Sequence, residues 1–286
     1  ALLAGESAAI DPALDWLADA ELKRDDTAEC RITASVKITA TAPKSLTYHP
    51  ERLALGVGCE RDAAPEELIR LVEETLAENN LAREAIAAVY SIDVKMDEAA
   101  VHALGAHLGR PVRFFDAARL EEETPRLATP SDVVFREVGC HGVSEGAALA
   151  AAGPDAALIV PKRKSKRATC AIAGAPALIN VASTGTARGQ LALVGIGPGA
   201  DYWRTPEADA AIRNAEVIVG YGLYIDLLGP LAAGKERHDF ALGEEEKRAA
   251  YALDLAAEGK SVVLVSSGDI GIYAMATLVY ELLDKA

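Results

Sequence analysis

Three glycines, Gly195, Gly197 and Gly199, punctuate the stretch LALVGIGPGADYW (191–203), and a second apolar run, SVVLV (261–265), ends in Ser266-Ser267-Gly268-Asp269-Ile270-Gly271. Glycines that follow a buried strand let a ligand approach backbone amides, and a carboxylate such as Asp269 can accept hydrogen bonds from hydroxyl or amine groups. Taken formally, Gly195 to Ala200 satisfies G-x-G-x-x-[GA], and Glu216 follows near the spacing at which an acid would hold a ribose. That pattern belongs to NAD-linked dehydrogenases. Two details oppose it. The helix starts late, with Thr205 as N-cap and Pro206 as first helical residue, so the glycine turn offers no helix end to a pyrophosphate. Glu216 stands at the beginning of EVIVGY, the wrong end of a strand for a ribose ligand. The loop at 266–271 is the better ligand position, at the carboxyl edge of a sheet; a tight turn with Asp269 as a cap is the alternative.

Other candidate residues lie earlier. Lys162, Arg163, Lys164, Lys166 and Arg167 form the one concentrated basic site in a chain of net charge −14. At a hairpin tip they suit a polycarboxylate, through charge-assisted pairing, or else form a solvated loop. Asp93 and Lys95 follow a strand end, where they can meet a substrate or make a salt-bridged helix entry. Cys140 beside His141 admits a nucleophile or a small packing residue. No catalytic residue is assigned. The acidic balance argues against a general nucleic-acid surface. The four cysteines form no C-x-x-C pair, so neither a metal site nor a disulfide framework is expected, and a reducing cytoplasm fits. No apolar run approaches the ~20 residues needed to span a bilayer, and the start lacks a basic n-region, so no membrane role is expected. The chain begins without Met, as a processed product or a fragment does.

A length of 286 residues predicts two domains. From Arg52 the pattern alternates: LALGVGC (53–59) as a strand ending in a glycine turn, a helix from Pro65 with Leu68, Val72 and Leu76 on one face, and IAAVYSI (86–92) as a strand. A helix with Val101, Leu104 and Leu108 in line, stopped by Gly109, and a strand PVRFF (111–115) follow. A short helix opens near Ser144, and ALIV (157–160) and ATCAIA (168–173) flank the basic stretch. A linker poor in charge then precedes a second alternation: LALVGIG, TPEADAAIRNA, EVIVGY, EEEKRAAYALDLAAEG and SVVLVSS. The expected fold is α/β, two successive domains with largely parallel sheets over 52–176 and 190–286, joined by a linker at 177–189. Before Arg52 only ITASVKITA (32–40) reads as a strand.

VGIGPGADYWRTPEA, AEVIVGYGLYIDLL and VVLVSSGDIGIYAMA together resemble the tetrapyrrole methylases of cobalamin biosynthesis, most of all the precorrin-3B C-17 methyltransferases. The resemblance implies that 190–286 is the first lobe of that fold, and that S-adenosylmethionine is the cofactor, contacted by Pro198, Ser267, Gly268, Asp269 and Ile272. It places the tetrapyrrole against Gly195, Gly197 and Gly199, and the reaction as C-17 methylation with ring contraction. Tyr221 falls where some relatives carry an acid-base Asp, and that role is not carried over. The family's G-D-P reads Gly268-Asp269-Ile270 here, which removes a rigid φ. The family's second lobe, with the rest of the cofactor site, is missing from this stretch, which alone is not expected to methylate.

RLALGVGCERD, YSIDVKMDE, EVGCHGVSEGAALAAAG and PKRKSKRATCAIA resemble, in that order, the C-terminal domain of the cobalt-precorrin-5A hydrolase family. SLTYHPERL resembles that family's linker, which makes 1–51 part of a preceding domain and linker. The implied partners are an anionic precorrin, other cobalamin-pathway enzymes and a second copy of the chain in a homodimer. A non-catalytic tetrapyrrole carrier is the alternative. Whether the macrocycle carries cobalt stays open.

Overall fold

The computed structural model describes residues 5–17, 19–40, 42–271 and 275–284. The chain divides into two compact units, Ala1–Gly185 and Thr186–Ala286. Unit 1 begins with a parallel three-stranded sheet, β1 (Ala8–Ile10), β2 (Cys30–Ala34) and β3 (Ser45–Tyr48), in sequence order. Its own core is small, built on Leu14, Cys30 and Ile32. The strand expected over 32–40 stops at Ala34. Past that point the backbone leaves to pair elsewhere: the Val36 carbonyl accepts from Ala82 N at 2.9 Å, and Ile38 N donates to the Asn80 carbonyl at 3.0 Å.

The rest of unit 1 carries β4 (Leu53–Cys59), α1 (Pro65–Glu78), β5 (Ile86–Ile92), α2 (Ala99–Leu108), β6 (Val112–Phe115), α3 (Ala117–Glu121), α4 (Asp132–Val138), α5 (Val143–Ala152), β7 (Ala157–Lys164) and β8 (Ala168–Gly174). These strands form one sheet in the order β6-β5-β4-β8-β7. Pairing is parallel among β4, β5 and β6 and antiparallel where the β7–β8 hairpin joins β4.

Alternation along β4 explains the layers. Leu53, Leu55 and Val57 point to the core shared with Leu68, Val72 and Leu76 of α1 and Val101 and Leu104 of α2. Ala54 points the other way, into the core built on the alanines of α5. Gly56 and Gly58 lie inside β4 and not in a turn after it, which corrects the sequence reading. A Cβ on Gly56 would stand 1.9 Å from the Ser144 carbonyl oxygen and 2.7 Å from Ala148 N, so only glycine lets α5 pack directly on the strand. Gly109 ends α2 with φ 65°, the left-handed stop a glycine tolerates.

Unit 2 contains β9 (Gln190–Gly195), α6 (Pro206–Asn214), β10 (Val217–Tyr221), α7 (Gly222–Asp226), β11 (Glu236–Phe240), α8 (Glu245–Ala257), β12 (Ser261–Ser266) and α9 (Met275–Leu283). Its sheet is wholly parallel, in the order β11-β10-β12-β9. Ile218, Val263 and Val265 pack with Ile212 of α6 and Ile225 of α7 on one face; Val217, Val219 and Leu264 pack with α8 and α9 on the other. Thr205 caps α6, its hydroxyl accepting from Ala208 N. Among the described residues no helix is long and apolar enough to cross a membrane.

Candidate functional sites

The strands β9 and β12 are neighbours, with Gly195 opposite Ser266, so their two loops leave the carboxyl edge of the unit 2 sheet side by side. The loops bond to each other. Gly268 N donates to the Gly197 carbonyl at 2.8 Å and Gly197 N returns a bond to the Gly268 carbonyl at 3.2 Å, both glycines having positive φ (61° and 64°). A Cβ on Gly195 would meet the Gly268 oxygen at 2.4 Å and Ile270 N at 2.8 Å. The glycine pattern is therefore explained first by one loop lying on the other.

Between them opens a cleft of about 690 Å³, lined by Gly195, Gly197, Pro198, Ser267, Gly268 and Asp269 together with Trp203 and Ile270. A Cβ on Gly268 would meet no atom within 4 Å, so its backbone faces open space. Asp269 accepts from Gly271 N through Oδ1 at 2.7 Å, which fixes the loop. Gly199 turns aside: its position is closed by Leu227, 2.9 Å from where a Cβ would stand. Ile272 lies outside the described residues. Trp203 was not singled out in the sequence, although Tyr202 and Trp203 are adjacent aromatics in a chain with 5% aromatic content, and both are exposed. Glu216 accepts from Ser261 N at 3.0 Å, at the amino end of the sheet and remote from the glycines along its strand.

Unit 1 has a cleft of about 590 Å³ over the ends of β4, β7 and β8. Lys95, Lys162, Lys164, Lys166 and Arg167 line it, with Arg61 as an addition the sequence did not signal. The basic run is not all at a hairpin tip. β7 continues through Lys164, so strand alternation sends Lys162 and Lys164 to the cleft and Arg163 to the opposite face, where it pairs with Glu78 at 2.7 Å. Arg167 is paired with Glu60 at 2.9 Å, Arg61 with Asp97 at 2.6 Å, and Lys95 with Glu98 at 3.6 Å. Lys162 Nζ donates to the Thr129 carbonyl at 3.0 Å, a neutral acceptor that leaves its charge in place. Among the described residues Lys164 and Lys166 have no acidic partner. Three ammonium groups without an ion-pair partner among the described residues therefore line one cleft, with Glu137 as an acid in the same lining. Asp93 does not line it; its carboxylate accepts from Val94 N in the turn after β5.

The floor of this cleft is the start of α5, through Gly142, Val143 and Ser144. Glu145, the next residue, is buried, and its carboxylate gathers four donors: Ala128 N (2.9 Å), Thr129 N (3.0 Å), Thr129 Oγ1 (3.1 Å) and Lys162 N (2.7 Å). It ties the 128–129 segment and β7 to α5, and so holds Lys162 where it stands. Sequence alone did not mark it, because its partners are distant along the chain.

Cys140 is fully buried and burial pushes its thiol up, so it is a packing residue; His141 binds Glu121 at 2.9 Å and stacks on Phe135. Cys59 lines the cleft, and burial, reinforced by the Glu98 charge, pushes its thiol up to about 11 from the ordinary 9.0. The thiol stays protonated near neutrality. Because the thiolate is the reactive form, alkylation of Cys59 at pH 8 is expected to run about a hundredfold slower in the folded chain than in the unfolded one. The rate should rise about tenfold per pH unit until about pH 11, as followed by mass spectrometry of the Cys59 peptide; equal folded and unfolded rates at pH 8 would contradict this.

Residues 53–173 match the family model "Cobalamin synthesis G C-terminus", and residues 190–286 match "Tetrapyrrole (Corrin/Porphyrin) Methylases". The chain is 49% identical over 122 residues to Protein CobE of Sinorhizobium sp, covering 43% of this chain and 79% of that protein. It is 42% identical over 95 residues to the probable cobalt-factor III C(17)-methyltransferase of Salmonella typhimurium, covering 33% of this chain and 39% of that one. It is 31% identical over 137 residues to cobalt-precorrin-5A hydrolase of Priestia megaterium, covering 48% and 36%. The chain spans most of the first relative and well under half the length of the other two.

Proposed function

The chain belongs to the cobalamin synthesis G C-terminus family through residues 53–173 and continues as a tetrapyrrole methylase segment over 190–286, and from that premise we propose that it acts on the corrin ring in cobalamin biosynthesis. On this reading Lys162, Lys164 and Lys166, with Lys95 and Arg167 behind them, hold the peripheral carboxylates of an anionic precorrin in unit 1, the hydrolase-type domain. Unit 2 supplies Pro198, Ser267, Gly268 and Asp269 to an S-adenosylmethionine site, for methylation of precorrin-3B at C-17 with ring contraction. The observation that carries the second half is the open backbone at Gly268 beside Asp269, in a cleft whose volume suits a small ligand. There the amides of the 266–271 loop can face the polar end of a ligand, and the Asp269 carboxylate, already held by Gly271 N, can accept from its hydroxyl or amine groups.

When bound, S-adenosylmethionine would supply an electrophilic methyl group to a nucleophilic ring carbon, its sulfonium sulfur leaving as a neutral thioether. The chain's own part is to place the two reactants, which can supply a large share of the rate. Its partners on this reading are the precorrin, other enzymes of the pathway and a second copy of the chain, in the cytoplasm.

Isothermal titration of the chain with S-adenosylmethionine and with NAD tests the unit 2 reading. S-adenosylmethionine is expected to bind, and Gly195→Ala to weaken it at least tenfold, since the added Cβ forces the two loops apart. Tight NAD binding without S-adenosylmethionine binding would sink it.

A further inference from the structure

We propose that the first turn of α5 is a carboxylate subsite of the unit 1 cleft, with Ser144 as its hydroxyl donor; this deepens, and rests on, the reading of that cleft as the macrocycle site. The first amides of any α-helix lack intrahelical acceptors and carry the positive end of its dipole, which makes them a receptor for an anionic group unless something else fills it. In α5, a helix of 10 residues, the N-cap is Gly142, and no side chain caps the turn. Gly142, Val143 and Ser144 line the cleft.

Ser144 provides the second, independent observation. It is 2% exposed, and its Oγ has no hydrogen-bond partner, whereas buried hydroxyls nearly always have one. Ser144 lines the cleft at a helix start, and its Oγ, buried in that wall, satisfies nothing within the chain; an oxyanion seated on the turn would give it a partner from outside. The natural internal occupant is excluded by its own bonds: the carboxylate of Glu145, on the same helical turn, is already taken by Ala128 N, Thr129 N, Thr129 Oγ1 and Lys162 N.

The charge around the cleft selects the sign of the visitor. Lys162 and Lys164 reach it from β7 and Lys166 from the turn, against Glu137 as an acid lining the same space and Glu60 already paired with Arg167. An oxyanion can take a hydroxyl hydrogen bond and helix amides with one group while its neighbours on the same molecule meet the ammonium groups. A ligand bearing several carboxylates around a rigid ring fits both demands at once; the Ser144 position orients one of them, and the lysines collect the others. Close packing of α5 on β4 through Gly56 fixes that position.

The test uses the full chain and uroporphyrin, a stable macrocyclic polycarboxylate whose absorbance reports binding. Ser144→Ala is expected to weaken binding about tenfold, with an unchanged or higher melting temperature, because it removes a hydroxyl that has no partner in the chain. Ser144→Asp, which puts a carboxylate at the subsite itself, is expected to weaken binding at least a hundredfold while circular dichroism shows the fold retained. Lys162, Lys164 and Lys166 changed together to Gln separates the two levels of the argument. Loss of binding in that variant, with Ser144→Ala binding as tightly as the unaltered chain, overturns the subsite and leaves the cleft reading standing. No binding of uroporphyrin by the unaltered chain overturns both.

Discussion

Replacing Glu145 by Ala is expected to lower the stability of unit 1 by about 4 kcal/mol, because it removes a buried carboxylate on which four charge-assisted hydrogen bonds from two other segments converge. The carboxylate accepts three backbone amides and one hydroxyl at 2.7–3.1 Å. A hydrogen bond to a charged group is worth ~1.5–3 kcal/mol, and the Ala128, Thr129 and Lys162 amides lose their acceptor together. The consequence reaches the cleft, since the bond to Lys162 N is what fastens β7 beside α5. Urea denaturation followed by circular dichroism reads the effect as a lower midpoint for one of two transitions. A loss below about 1 kcal/mol would mean that solvent enters the site and that Glu145 is not the tie described.

The second large effect is on binding. Changing Lys162, Lys164 and Lys166 together to Gln is expected to weaken uroporphyrin about a thousandfold and to remove most of the salt dependence, with little change in stability. The three ammonium groups have no acidic partner among the described residues, so their removal breaks no internal ion pair. Each charge-assisted contact is worth ~1.5 kcal/mol, and three together come to the ~4 kcal/mol that a thousandfold represents. Arg163→Gln serves as the control. It carries the same charge in the same sequence run but sits on the other face of β7, paired with Glu78, so its loss should leave binding within about twofold. Equal losses from Arg163→Gln and from any one lysine change would show that net charge, and not the cleft, attracts the ligand.

Much of the fold was legible from pattern. The alternation of apolar runs and amphipathic segments located β4, α1, β5 and α2 in unit 1 and every strand of unit 2 except β11. That strand, Glu236-Arg237-His238-Asp239-Phe240, is an edge strand built largely of charged residues, so no apolar run announced it. The β4 glycines were misread because a glycine beside a strand usually means a turn; here the explanation is the small-residue helix α5, which meets the strand from far along the sequence.

The candidate sites were legible in outline. Runs of glycine and of lysine stand out locally, and both led to clefts. What the sequence did not separate was which members face inward. Gly199 closes against Leu227, Arg163 crosses to α1, and Asp93 bonds its own turn, whereas Arg61, Trp203 and Ser144 enter the clefts through contacts between elements. Strand alternation could have divided Lys162 and Lys164 from Arg163 had β7 been extended past Val160, where the apolar run ends and Pro161 follows. Pro is tolerated there because β7 is the edge of the sheet.

Hydrogen exchange of the full chain, measured by mass spectrometry with and without each ligand, tests the central claim most directly. Uroporphyrin is expected to slow exchange most at 142–146 and 162–168 in unit 1, and S-adenosylmethionine at 195–199 and 266–271 in unit 2, with the unit 1 segments unchanged by S-adenosylmethionine. No protection of 142–146 and 162–168 by uroporphyrin, or protection of the unit 1 segments by S-adenosylmethionine, would contradict the assignment of the macrocycle to the lysine-lined cleft and of the methyl donor to the paired glycine loops.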